Sequence, residues 1–217
     1  MNISNSTVAI IGTGNIGGRL AADFATGGLD FLLAGRDQDA ARKLASTLSD
    51  HAEVVTIDEA VDQADVLVVA LWLDPFKEFI AHYGERLAGK VIVDPTNPVA
   101  PDANGAFQKI IGEQESSGQI LAGLLPAGAR LVKAFGTLSA DTLSAVARRE
   151  PERAVLFYAA DDAAAGDQVA DLIRTYGYEP VRVGGLDQSI RLEVFGDLHE
   201  LGALGRPVTT TEALKAI

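Results

Sequence analysis

Residues 7–18 read Thr-Val-Ala-Ile-Ile-Gly-Thr-Gly-Asn-Ile-Gly-Gly, and they decide the fold. Val8 to Ile11 are branched or small and apolar, as in a buried strand. Gly12, Gly14 and Gly17 then give G-x-G-x-x-G, and residues 16–26 carry a helical pattern. Strand, tight turn and helix form the context in which this pattern binds dinucleotides. Gly12 permits the turn, Gly14 lets the backbone approach a pyrophosphate, and Gly17 lets the helix pack closely on the strand. The start of the helix supplies free N–H groups and the positive end of its dipole. The alternative is a tight turn that binds nothing.

A second strand, residues 30–34, follows the stop signal Gly27-Gly28. Its end selects the cofactor. An NAD site usually places Asp or Glu there, on the ribose 2′-hydroxyl. This chain has Ala34-Gly35-Arg36. A guanidinium pairs bidentately with a 2′-phosphate, so NADP is expected over NAD. Asp37 is open to two readings, a ribose contact or the N-cap of a helix over 39–48, and capping is the preferred one.

Further along, residues 53–57 read as a strand and 58–63 as short helical turns capped by Asp58. The apolar run 66–71 reads as a central parallel strand covered on both faces. Leu71 and Trp72 stand at its C-terminal edge, the edge that faces ligands in doubly wound sheets. Trp72 either walls a nicotinamide pocket or packs in the loop. Asp74 is expected to cap a helix over 76–83, with Pro75 at its first position. Strand 90–94 runs into Pro95-Thr96-Asn97-Pro98, which holds Asn97 and Pro98 on the ligand edge. Asn97 then contacts cofactor ribose or nicotinamide, or closes an Asx-turn.

The segment up to Gly112 reads as a long loop over the site. A helix is expected over 115–125 with Ser116 and Ser117 as capping residues. Strand 130–135 brings Ala134 to the ligand edge, and Gly136 after it would admit a planar ring close to the backbone. Lys133 is either an anion contact or a lysine reaching out from the sheet end. A helix over 141–147 and the charged stretch 148–152 close this unit.

The remainder has a strand at 154–159, a helix at 163–176 capped by Asp161 and Asp162, and a strand at 179–183. Residues 187–201 read as a last long helix, with Leu186, Ile190, Leu192, Val194, Phe195, Leu198 and Leu201 on a broad apolar face. Asp197, His199 and Glu200 lie too far from His51 and His82 in sequence to suggest a metal site, and no general acid or base is assigned. The expected fold class is α/β, a doubly wound, mostly parallel Rossmann sheet with a small C-terminal βαβ-plus-helix extension. Residues 1–147 would form the dinucleotide unit. Residues 148–217 would complete the acceptor site or a dimer interface.

Composition sets outer limits. The 217 residues are 47% hydrophobic, enough for a full core, and contain no cysteine, which excludes disulfides and thiolate chemistry. A net charge of −12 argues against nucleic acid and anionic membrane as partners. The start Met-Asn-Ile-Ser-Asn-Ser has no basic or apolar leader pattern, and no apolar run reaches the ~18 residues of a membrane span. A cytoplasmic protein is expected.

Several stretches together resemble one family: residues 10–18, Ala-Gly-Arg-Asp at 34–37, Val-Asp-Pro-Thr-Asn-Pro at 93–98, Val-Lys-Ala-Phe-Gly-Thr-Leu-Ser-Ala at 132–140, and Phe-Tyr-Ala-Ala-Asp-Asp at 157–162. Their order and spacing are similar to the NADP oxidoreductases that use the deazaflavin coenzyme F420, and more distantly to the STEAP oxidoreductase domain. The resemblance implies an NADP domain, often homodimeric. It also implies hydride transfer between NADPH and a deazaflavin or flavin (FMN or FAD), with a small-molecule redox partner. In it, Thr13, Asn15 and Ile16 match the pyrophosphate turn and Arg36 the 2′-phosphate arginine. The chain departs from the pattern at Gly35, Ala40 and Gly136, where relatives carry Ser, Lys, and Asn or His. An NADPH-dependent imine or carbonyl reductase and a non-catalytic NADPH sensor stand as alternatives.

Overall fold

The branched apolar runs become the parallel strands of one sheet. The computed structural model describes residues 3, 6–102 and 104–217. Met1, Asn2, Ser4 and Asn5, part of the start read above for a leader pattern, and Ala103, in the expected loop, lie outside the described residues. In chain order the elements are β1 (Val8–Ile11), α1 (Asn15–Thr26), β2 (Phe31–Ala34), α2 (Gln38–Ala45), β3 (Ala52–Val54), α3 (Ile57–Gln63), β4 (Val66–Val69) and α4 (Leu73–Tyr83). Then come β5 (Val91–Asp94), β6 (Val99–Pro101), β7 (Phe107–Lys109), α5 (Ser117–Ala122), β8 (Arg130–Lys133) and α6 (Ala140–Ala145). The chain ends with β9 (Val155–Ala160), α7 (Ala163–Tyr176), β10 (Glu179–Gly184), α8 (Ser189–Leu192) and α9 (Thr210–Ala213).

The main sheet has eight strands in the order β10-β9-β8-β5-β4-β1-β2-β3. β1 sits between β2 and β4 in parallel register, Ile10 opposite both Leu33 and Val68. The strand order reverses there, and ligands bind beyond the carboxyl ends of strands at such a point. β9 joins β8 antiparallel, with Lys133 opposite Ala159, and β10 runs parallel to β9. The C-terminal βαβ unit thus extends the same sheet.

Each face of the sheet carries its own core. On one, Phe24 of α1 meets Phe135 and Tyr176 of α7 edge-on, with ring centroids 5.8 and 5.5 Å apart. On the other, Phe76 and Phe79 of α4 pack with Leu121 of α5 over Leu67 and Ile92. Edge-on aromatic contacts of this kind stabilise beyond their buried area. Among the described residues no helix is long and apolar enough to cross a membrane.

Four local expectations are corrected. α3 is capped by Thr56 in a reciprocal capping box with Glu59; Asp58 instead holds Arg86 at 2.8 Å. α4 starts two residues before Pro75, with Trp72 at its N-cap, so Asp74 and Pro75 both lie inside the first turn. Such a place suits proline, because those N–H groups have no helical partner. The expected loop contains a hairpin, β6 paired antiparallel with β7.

The fourth correction is the largest. Residues 187–201 do not form one helix. α8 ends at Leu192, Glu193 is extended, and Phe195 has φ 72°. The chain then folds back so tightly that a Cβ at Gly196 would lie 2.4 Å from the Ile190 carbonyl oxygen. Leu192 and Leu198 are buried while Phe195 and Leu201 are exposed. The apolar spacing mimicked a helix, but the backbone leaves the helical path at Glu193, which is extended and has its carboxylate buried.

Candidate cofactor cleft

The three glycines of the first turn have three different physical reasons. Gly12 has φ 109°, and a Cβ there would lie 2.5 Å from the Ala70 carbonyl oxygen. A Cβ at Gly17 would lie 1.9 Å from the Gly12 carbonyl oxygen, so α1 could not approach β1 with any other residue. Gly14 differs, because its Cβ would meet nothing within 4 Å. The space in front of Gly14 is open.

The start of α1 matches that opening. Gly14 is its N-cap, no side chain caps it, and its first turn holds no acid. By contrast α2, α3, α5, α6 and α7 are capped by the side chains of Asp37, Thr56, Ser116, Ser139 and Asp162. The amide groups and positive dipole end of α1 therefore stay available to an anion. Asp37 spends one carboxylate oxygen on the Asp39 and Ala40 amides at 3.0 Å each, the capping role preferred above. Arg36 is exposed beside it, with no partner among the described residues. Thr13 packs against Gly35, where a Cβ would lie 3.3 Å from the threonine hydroxyl. A serine at 35 would press on that side chain.

From Gly14 a cleft of about 340 Å³ runs along the carboxyl edge of the sheet. Of the residues chosen from sequence it brings together Gly14, Asn15, Ile16, Leu71, Trp72 and Asn97. Gly12, Thr13, Gly17, Gly35 and Arg36 stand outside its lining, in the turn behind Gly14 and at the end of β2. Pro98, Ala134 and Gly136 are buried behind the wall. A Cβ at Gly136 would lie 3.2 Å from the Pro95 carbonyl oxygen, a tight contact inside the wall.

Sequence reasoning missed the far wall. Phe107 of β7 and the segment Leu138–Asp141 line the cleft, as do Val194, His199 and Leu201 from beyond α8. The Leu138–Asp141 segment follows β8 at the ligand edge and was findable by that rule. The last three residues were hidden by the helical spacing of 187–201.

Polar groups tie this wall down. Asn97 donates to the Gly136 carbonyl at 3.0 Å and accepts from the Val194 amide at 2.7 Å. Its amide is thus largely engaged inside the protein. His199 is buried, and its Nδ1 accepts the Leu201 amide at 2.9 Å. Burial pushes its pKa down to about 4, against the opposing pull of Glu200 and the Gly136 carbonyl, so the ring is neutral at pH 7. Lys133 neither reaches out of the sheet nor meets the cleft. It is fully buried and spends its three N–H groups on Asp94 at 2.8 Å, the Ser117 hydroxyl at 2.9 Å and the Thr96 carbonyl.

Comparison with known proteins agrees with this geometry. Residues 7–98 match the family model described as NADP oxidoreductase coenzyme F420-dependent. The F420-dependent NADP reductase of Methanothermobacter thermautotrophicus is 29% identical over 197 residues, 86% of this chain and 84% of that protein. The crystal structure of a hypothetical protein from Sinorhizobium meliloti superposes with a TM-score of 0.82 at 27% identity, covering 95% of this chain and 97% of that one. A reductive aminase from Aspergillus terreus in complex with NADPH shares the fold, with a TM-score of 0.59 at 22% identity over 85% of this chain and 56% of its own. The glycine turn, the sheet order and these matches together make the chain similar to the coenzyme F420-dependent NADP oxidoreductases, a likeness carried by residues 7–98 in the family model and by 86% of the chain in the Methanothermobacter relative.

Proposed function

We propose that the protein binds NADP(H) along the cleft and passes a hydride between the nicotinamide and a deazaflavin of the F420 type. Its similarity to F420-dependent NADP reductases supports an NADP-dependent oxidoreductase. The residues present fit the cofactor. The open face of Gly14 and the uncapped α1 suit a pyrophosphate, and the unpartnered Arg36 suits a 2′-phosphate.

One observation supports a ring acceptor above all. The cleft that starts at Gly14 is lined further by the apolar side chains of Trp72, Phe107, Val194 and Leu201. Its ionisable groups are the neutral His199 and Asp141, whose carboxylate pairs with Arg19 at the surface. Bound there, the nicotinamide supplies the hydride. The chain's own work is orientation and exclusion of water by apolar walls, which suits a reaction that needs no proton transfer by the protein. Residues 148–217 contribute the acceptor-side wall in this reading.

The test is anaerobic mixing of the protein with NADPH and the deazaflavin coenzyme, followed by the visible absorbance of the deazaflavin, with FMN and FAD in parallel. Bleaching at catalytic protein concentration, faster with NADPH than with NADH, is expected. NADPH binding with no bleaching of any ring acceptor overturns the proposal and points to a small imine or carbonyl substrate, or to a sensor.

A further inference from the structure

Residues 193–201 form the acceptor-side wall without a helix or strand of their own. Their position must come from contacts made across to other elements. They include the Val194 amide on Asn97, the Glu200 amide on the Thr137 carbonyl at 3.0 Å, the Ser139 amide on the Glu200 carboxylate, and Asp197 paired with Arg191 of α8 at 2.8 Å. A further one lies outside the cleft, at the root of the strap. Glu193 is 1% exposed and turns its carboxylate inward. Its Oε1 accepts from the Ser117 hydroxyl at 2.9 Å and from the Gly118 amide at 3.1 Å. Lys133 stands 3.6 Å away with all three donors already committed, one of them to the same Ser117 hydroxyl. Ser117 therefore accepts from Lys133 and donates to Glu193, linking the two charges through one oxygen.

The chain of contacts runs from the end of β5 to the strap. Asp94 and the Thr96 carbonyl hold Lys133, Lys133 holds Ser117, and Ser117 holds Glu193. Asp94 also accepts the Thr96 amide at 2.7 Å, one residue before Asn97. One buried cluster thus ties the floor of the cleft to its opposite wall. A carboxylate this buried is costly unless partnered, and such a group at the first residue after α8 fixes where the strap begins.

We propose that Glu193 is a positioning residue for the acceptor. Moored to Ser117, Gly118 and Lys133, it sets the place of Val194, His199 and Leu201, and hence the width of the cleft. It touches neither cofactor nor acceptor. The inference rests on the ring-acceptor reading for its kinetic part and on geometry alone for the rest.

Two variants test it from opposite sides, Glu193→Ala in the strap and Ser117→Ala in α5, with Glu193→Gln as the conservative control. Three readouts are taken on each full-length protein: amide hydrogen exchange, NADPH affinity by fluorescence titration, and the KM for the deazaflavin. Glu193→Ala is expected to lose protection at the Val194, Glu200 and Leu201 amides by about tenfold or more, while amides of β1 and β4 keep theirs. The acceptor KM rises about tenfold, NADPH affinity stays within about twofold, and Glu193→Gln recovers most of the loss. Ser117→Ala moves the same quantities in the same direction by a smaller factor, and decides the matter should Glu193→Ala fail to fold. Strap protection unchanged in both alanine variants overturns the proposal. So does loss of protection spread evenly over the sheet. If the wild type bleaches no deazaflavin, the functional reading fails while the exchange measurement still judges the mooring.

Discussion

In the proposed reading, Arg36 carries the preference for NADP over NAD. It stands exposed at the end of β2 with Asp37 turned away into the cap of α2. Arg36→Ala should weaken NADPH binding by roughly tenfold to a hundredfold, the 1.5–3 kcal/mol of a hydrogen bond to a charged group, and leave NADH binding nearly unchanged. Fluorescence titration with both nucleotides checks this; equal affinities before and after would remove the 2′-phosphate assignment. His199 gives the second residue-scale expectation. The unfolded chain protonates it near its ordinary 6.5 and the folded chain at about 4. Between those values the unfolded state binds more protons, so this contribution is complete above pH 6.5 and declines as the pH falls toward 4. Lowering the pH from 7 to 5 should cost about 2 kcal/mol through this residue. Urea unfolding of wild type and His199→Gln at both pH values measures it, and the variant should lack that share of the acid sensitivity.

At the scale of elements, the start of α1 separates a glycine closed in by backbone from one that faces open space. Gly17 is closed in by the Gly12 carbonyl, whereas Gly14 faces open space. Gly14→Asp should therefore leave the fold intact and cap α1, as Asp37 and Asp162 cap their helices. The same carboxylate would repel a pyrophosphate. The expected result is an unchanged or raised Tm with NADPH affinity lowered by about tenfold or more, read by thermal melting and titration. A variant that melts normally and still binds NADPH would show that the cofactor does not use this helix end. The capping residues were mostly readable in advance, because a cap acts within three residues of its own position. Thr56 was missed only because Asp58, two residues on, offered the same chemistry, and its carboxylate went to Arg86 instead.

On the scale of the whole molecule, the segment beyond residue 147 adds strands to the sheet begun by β1. Tyr176 of α7 packs on Phe24 at 5.5 Å and on Phe135 at 5.6 Å. Tyr178 donates its hydroxyl to the Leu143 carbonyl at 2.6 Å, tying β9 and β10 to α6. A chain ending at residue 147 would expose that aromatic face, along with the edge of β8. We expect it to lack a cooperative thermal transition by circular dichroism. A sharp melt would instead establish residues 1–147 as an independently folding unit. The match of the family model ends at residue 98, yet the far wall of the cleft comes from beyond residue 106. In the proposed reading, the acceptor side is thus built by residues that the family model does not cover.

The sequence by itself determined the strand–glycine turn–helix at residues 8–26, the central parallel strands, and the arginine at the end of β2. Each is a local property, set by apolar runs, by positions where a side chain has no room, or by a residue type at a fixed offset from a strand. Three things were decided only by tertiary structure. The antiparallel entry of β9 beside β8 depends on which edge of the sheet is free when that strand arrives. The burial of Lys133 depends on Asp94, Ser117 and Glu193 converging from segments far apart in the chain. The path of residues 193–201 is the third, and Glu193 at its root meets that same cluster. Apolar residues at helical spacing cannot reveal it, because the partners of Glu193 come from α5 and β8, far away in the chain.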